Sequence, residues 1–103
     1  MTVEVVWTNG AEGDLLRLYE RIGDHDMAVR TLRQPLEHAL GLLTRNPGLG
    51  PKVRGTKRVR RLLVGPRMRW GVFYVEEANR LMIHALLDMR EDPDVLKRRL
   101  GGL

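Results

Sequence analysis

Apolar positions at the start of the chain fall two apart: Val3, Val5 and Trp7, with Glu4 and Val6 between them. That alternation predicts a strand over about residues 2–7 with one buried face. From Ala11 the spacing changes. Ala11, Leu15, Leu18 and Ile22 lie four, three and four apart, which predicts a helix over roughly 10–22 with Arg17, Glu20 and Arg21 on its wet side. Asn9 is placed to cap it, Glu12 to complete a capping box, and Gly23 to end it. A second stripe, Leu32, Leu36, Ala39 or Leu40, and Leu43, predicts a helix over about 26–45, with Asp24 or Asp26 as its cap. Pro35 lies inside it and predicts a kink or split. The short connection predicts an antiparallel helical hairpin over about 10–45.

Past the turn-rich loop Asn46-Pro47-Gly48-Leu49-Gly50-Pro51, period two returns. It predicts strands over about 58–64, 69–76 and 81–88, with turns at Gly65-Pro66 and Asn79. Glu91-Asp92-Pro93 breaks the pattern, Asp94 is a cap candidate for a short tail helix over about 95–100, and Gly101-Gly102-Leu103 is expected to fray. This order predicts a single α+β domain over 1–103: a four-stranded antiparallel sheet with the helical hairpin on one face. Two helices return the chain to where the first strand ended, so the second strand is expected to run antiparallel to the first.

The other sheet face is then open. Alternation places Arg61, Leu63, Arg69, Gly71, Phe73, Met82, His84, Leu86 and Asp88 on it, with Leu62, Val64, Trp70, Val72, Tyr74, Leu81, Ile83, Ala85 and Leu87 turned to the helices. A face that mixes apolar groups with arginines is expected to bind a partner. Trp7, Trp70 and Tyr74 are expected in the core.

Charge sharpens the picture. Net charge is +5. Between Lys52 and Arg69 stand Lys52, Arg54, Lys57, Arg58, Arg60, Arg61, Arg67 and Arg69, and no Asp or Glu occurs from His38 to Val75. The excess is a local patch on a β-hairpin, and it predicts an anionic partner. The tail Lys97-Arg98-Arg99 is expected to be solvated or to touch the target. The chain has no cysteine, which excludes disulfides and thiolate metal sites and is compatible with the cytoplasm. Its longest mostly apolar run, Leu81–Leu87, is broken by His84 and is far short of the ~20 residues that span a bilayer, so no membrane partner is expected. No metal-ligand spacing, phosphate-binding glycine loop or nucleophile–base pair is present, so neither cofactor nor metal is expected.

One chemistry open to such a patch is RNA cleavage by 2′-OH attack. It needs a base, stabilisation of the phosphorane charge and an acid for the leaving oxygen. Arginines supply only the second. A lysine serves as base where neighbouring cations favour its neutral form, which names Lys52. Histidines titrate near neutrality, which names His84, although a hydrogen-bonded strand histidine is its simpler role. His25 and His38, on the helical hairpin, are given no catalytic role.

The chain also resembles a known family. Trp7-Thr8-Asn9-Gly10-Ala11 with Asp14-Leu15 is similar to the opening of RelE/ParE-type toxins of bacterial type II toxin–antitoxin pairs, Asn46-Pro47 and Gly50 to that family's loop after the helices, and Arg61-Leu62-Leu63-Val64-Gly65 with Arg69 and Tyr74 to its strand core. Met68 stands where an aromatic is usual, and Arg90 matches a late basic position. The resemblance covers about residues 3–92. It implies a growth-inhibiting cytoplasmic toxin neutralised by an acidic antitoxin, bound on the face bearing Arg61, Leu63, Arg69, Phe73, Met82, His84 and Leu86. A dimer and a toxin–antitoxin hetero-oligomer both stay open.

The family divides by target. RelE-like members cut mRNA on the ribosome, with Lys and Arg residues around the phosphate and a Tyr or His near the C-terminus. ParE-like members poison DNA gyrase and are not nucleases. Arg69, Arg90 and Lys52, with His84, would be the catalytic set of a nuclease. After Arg90, however, the chain reads EDPDVLKRRLGGL, with neither Tyr nor His. The expectation therefore turns to the ParE-like branch, with a ribosome-dependent endonuclease as the alternative. A non-toxic basic module binding nucleic acid or a peptide is the reading from outside the toxin class.

Overall fold

Strand β1, Glu4–Trp7, pairs in parallel with β4, Arg80–Asp88, so that Glu4 stands opposite Arg80 and Trp7 opposite Ile83. The structure, a computed structural model, describes residues 3–101. Its sheet has the order β1-β4-β3-β2, with β2 at Arg60–Val64 and β3 at Trp70–Glu77. Only β2–β3 and β3–β4 are antiparallel. The expected antiparallel sheet is therefore a mixed one, and β2 runs in the same direction as β1 without pairing to it.

The reason lies in the loop after the helices. Beyond Gly50 the chain runs back along β2. Lys52 bridges Arg60 in antiparallel sense, the Arg61 amide donates to the Pro51 carbonyl at 3.0 Å, and the Val53 amide donates to the Val59 carbonyl at 2.8 Å. This extra reversal, which period two does not register, turns β2 round. The basic segment 52–59 is thus a loop folded onto the β2 edge, while the β2–β3 connection is a short 3₁₀ turn over Pro66–Met68.

Helix α1 spans Asn9–Ile22. Its cap is Thr8, whose hydroxyl accepts the Ala11 amide at 3.2 Å, not Asn9. Gly23, with φ of 73°, closes it in the left-handed region that glycine adopts without strain. The second predicted helix is not uniform. Short α2, His25–Ala28, passes through a π-helical turn at Val29–Arg33 into α3, Gln34–Arg45. The simple two-helix hairpin is replaced by this broken rod, and the break falls just before Pro35. The β3–β4 turn follows expectation: Ala78 and Asn79 take φ of 46° and 65°, as a two-residue hairpin requires. The tail helix α4, Pro93–Leu100, is capped by Asp92, not Asp94. The predicted start of the first strand at residue 2 and the fraying of Gly102 and Leu103 lie outside the described residues.

The main core lies between helices and sheet. Leu32, Leu36, Ala39 and Leu43 meet Val64, Trp70, Val72, Tyr74, Leu81, Ile83 and Leu86 there. A second, smaller core covers the opposite face: Val59, Phe73, Val75 and Ala85, with Val53, Leu87, Met89 and Leu100 packed against them. The face expected to be open is therefore partly covered, by the 52–59 loop on one side and α4 on the other.

Candidate functional site

The pairing of β3 with β4 slips at His84: Tyr74 faces Ile83 and Phe73 faces Ala85, so His84 is the extra residue of a bulge. Every side chain after it changes face. Leu86, expected on the open face, is buried in the main core, and Asp88 follows it; Ala85 and Leu87, expected inward, join Phe73 on the other side. Phe73 does face away from the helices, but it is wholly buried beneath the second core. Of the expected partner face, Arg61, Leu63, Arg69, Met82 and His84 remain half-exposed.

The bulge and the short β1 together leave backbone groups of β4 without a strand partner. β1 ends at Trp7, and Thr8 donates the last bond, to the Ile83 carbonyl at 3.1 Å. Side chains continue the ladder. The Leu86 amide donates to Asp14 Oδ2 at 3.0 Å, and Arg99 Nη2 donates to the His84 carbonyl at 2.8 Å. Arg99 also forks onto Asp14, Nε to Oδ1 at 3.1 Å and Nη2 to Oδ2 at 2.9 Å. Asp14 is 3% exposed, and Arg17 adds a further donor. The cation expected to be solvated in the tail is thus the clamp that docks α4.

Asp88, also buried, gathers the two arginines singled out from sequence. Arg69 donates Nε and Nη2 to its Oδ2 at 3.2 and 3.1 Å, while the Arg90 amide and Nε donate to Oδ1 at 3.0 and 3.4 Å. Arg69 also lies over the Trp70 ring, 4.2 Å from its centroid. Burial opposes the charge on Asp88, but the Arg90 amide and the two guanidiniums outweigh it and hold the carboxyl below its ordinary range.

The other candidates lie elsewhere. Lys52 faces Arg60, Arg60 faces Tyr74 and Tyr74 faces Ile83, so Lys52 and His84 are three strand spacings apart, about 14 Å. Arg69 stands just before β3, whose first residue Trp70 is four residues from Tyr74, about 13 Å along the strand. His84 lines a groove with Lys57, Arg58 and Leu100, and Lys52 lines another with Arg54 and Arg61. Arg60 is spent on the loop, donating to the Gly50 carbonyl at 2.8 Å. Arg58 reaches Glu77 at 3.9 Å, and Arg67 stands exposed at the hairpin tip. The structure brings together Arg69 with Arg90, and Lys52 with Arg54 and Arg61. It does not bring Lys52 or His84 to the Arg69–Arg90 pair.

Tyr74 is in the core, as expected. Its hydroxyl donates to the Pro47 carbonyl at 2.7 Å and accepts the Gly50 amide at 2.9 Å, and burial pushes its phenol above the ordinary value against that amide. A Cβ at Gly50 would lie 2.8 Å from the Arg61 carbonyl oxygen and 2.9 Å from the Tyr74 hydroxyl, so the close approach requires glycine. Among the described residues no cluster of His, Cys, Asp and Glu could hold a metal ion, and no helix is long and apolar enough to cross a membrane.

The family model for the ParE toxin of type II toxin-antitoxin system, parDE, matches residues 5–93. The chain belongs to the ParE toxin family. The match runs from β1 to the start of α4 and so takes in Asp14, Tyr74, Arg69, Asp88 and Arg90 alike, while Arg99 lies beyond it. No curated protein matches the chain. Membership in this toxin family implies an antitoxin partner.

Sequence reasoning missed Asp14 as the anchor of α4. The signal was present: Asp14 lies three residues after Ala11 and four before Leu18, on the apolar stripe of α1. A carboxylate on a stripe bound for the core needs buried donors.

Proposed function

We propose that the chain is a ParE-like toxin that arrests growth by acting on DNA gyrase, without cleaving RNA, until its antitoxin binds. The observation that carries this reading is the company kept by Arg69 and Arg90. Both point at the buried carboxylate of Asp88, and neither Lys52 nor His84 stands beside them. Cleavage of RNA needs proton transfer at both oxygens of the scissile bond. Two guanidiniums that share one carboxylate supply neither acid nor base. They do brace the ends of β3 and β4, which suits a protein that acts through its surface. The cations of the 52–61 segment, Lys52, Arg54 and Arg61, are the surface proposed to meet the target.

The reading is tested by inducing the chain in a bacterial host without its antitoxin, then mapping mRNA ends by primer extension and measuring the DNA-damage response. Growth arrest with a damage response and intact mRNA is expected. Codon-positioned mRNA cleavage would support the ribosomal nuclease instead.

A further inference from the structure

The connection between β2 and β3 carries backbone strain that its length does not demand. Five residues, Gly65 to Arg69, join the two strands. Gly65 takes φ of 83°, which glycine adopts without strain. Arg67 and Met68 both take φ of 56°, where a side chain crowds the backbone. At Ala78 and Asn79 a two-residue turn requires that region, but five residues have other routes. The strained pair is nonetheless firmly held. Pro66 fixes its own φ, the Met68 amide donates to the Gly65 carbonyl at 3.1 Å, and the Arg69 amide donates to the Pro66 carbonyl at 3.2 Å. The result is a rigid tip on which Pro66, Arg67 and Met68 all stand exposed, Met68 at 64%. Strain kept in an exposed, well-fixed segment points to a use for the side chains it presents.

Charge selects the partner. Among the described residues Arg67 pairs with no carboxylate. The Met89 amide donates to the Arg69 carbonyl at 2.7 Å, which sets Arg90 beside the tip with 65% of its side chain exposed. Arg69 and Arg90 share Asp88, so three guanidiniums at this end face one carboxylate. A second copy would set these cations against one another. An exposed apolar side chain flanked by cations is the wedge with which proteins part stacked bases, the cations meeting the phosphates around it. We infer that the tip enters duplex DNA, with Met68 between two base pairs and Arg67 on the backbone. This rests on the gyrase reading and extends it: a wedge held beside the enzyme's cut keeps the ends from stacking back for resealing.

The test uses the full chain, gyrase and DNA. Met68→Gly deletes the wedge and suits the left-handed backbone, so it should fold as well as the unaltered chain, which the thermal midpoint verifies. One readout is linear plasmid after detergent and protease treatment. The other is 2-aminopurine, which brightens when unstacked, placed at the easily opened TA steps of a gyrase-bound duplex. The unaltered chain is expected to brighten the probe above gyrase alone and to yield linear DNA. Met68→Gly is expected to leave the probe dark and to yield at least about tenfold less linear DNA, since unstacking one base step shifts the balance by more than that. Equal linear DNA from Met68→Gly would overturn the inference. So would loss of linear DNA in Met68→Gly while the unaltered chain leaves the probe as dark as gyrase alone, since Met68 would then be seated in the enzyme's protein surface. No linear DNA from the unaltered chain would instead sink the gyrase reading beneath it.

Discussion

The indole N–H of Trp70 donates to the carbonyl oxygen of Thr31 at 2.7 Å. In a regular helix that carbonyl would accept from residue 35, which is proline and has no N–H. The chain answers with a π-helical turn over Val29–Arg33, and a strand side chain 39 residues away supplies the missing donor. Gly65 makes room: a Cβ there would lie 2.5 Å from the indole ring. The bond therefore fixes the broken helical rod to the start of β3, next to Arg69.

Trp70→Phe keeps most of the buried ring and removes only the donor. It should cost about 1–3 kcal/mol by leaving a carbonyl unsatisfied. In a Pro35→Ala background the helix recovers its own N–H, so the same change should cost less. Urea unfolding of the four proteins of this double-mutant cycle measures the coupling; strict additivity would mean that Trp70 does not stand in for the missing amide.

Asp14→Ala removes the acceptor for the Leu86 amide and leaves Arg99 without its carboxylate. Breaking a buried pair in this way costs about 3–5 kcal/mol. Arg99→Met keeps an aliphatic stem and should cost less, while releasing α4. Hydrogen exchange checks the second effect: the amides of α4 should lose protection in Arg99→Met while those of β3 keep theirs.

Tyr74→Phe deletes both hydroxyl bonds to the 47–50 loop. A loss of about 1–3 kcal/mol is expected, because the Pro47 carbonyl and the Gly50 amide both lose their partner. The thermal midpoint reads the change.

Asp88 gives stability a defined pH dependence. Its folded pKa lies below the ordinary carboxylate value, so the unfolded chain takes up the proton first as pH falls. The stabilisation is complete above about the ordinary carboxylate value and is lost as pH drops through the lowered folded value. Asp88→Asn should flatten this part of the profile, as measured by urea unfolding between neutral pH and the acid range.

How far the residues foretold this structure differs from place to place. The stripe on α1, the Ala78–Asn79 turn and the alternation of β3 are local patterns, and each appears where period and turn chemistry put it. The partner strand of β1 is a long-range choice, made by the reversal at Pro51–Val53, and nothing in the alternation of Val3, Val5 and Trp7 encodes it. The faces of β4 went astray at one residue, His84, because a bulge breaks the period of two without any glycine or proline to announce it. Arg69 and Arg90 could be singled out by the resemblance to a toxin family. Their shared partner Asp88 could not, since its face depends on that bulge. Arg99 looked like part of a solvated charge run until Asp14 on α1 gave it a buried partner.

The most direct measurement is a cleavage-complex assay with purified chain, DNA gyrase and supercoiled plasmid. If the toxin acts on gyrase, linear DNA should accumulate after detergent and protease treatment, and adding the antitoxin first should prevent it. Gyrase left unaffected, with ribosome-bound mRNA cut by the same preparation, would contradict the account.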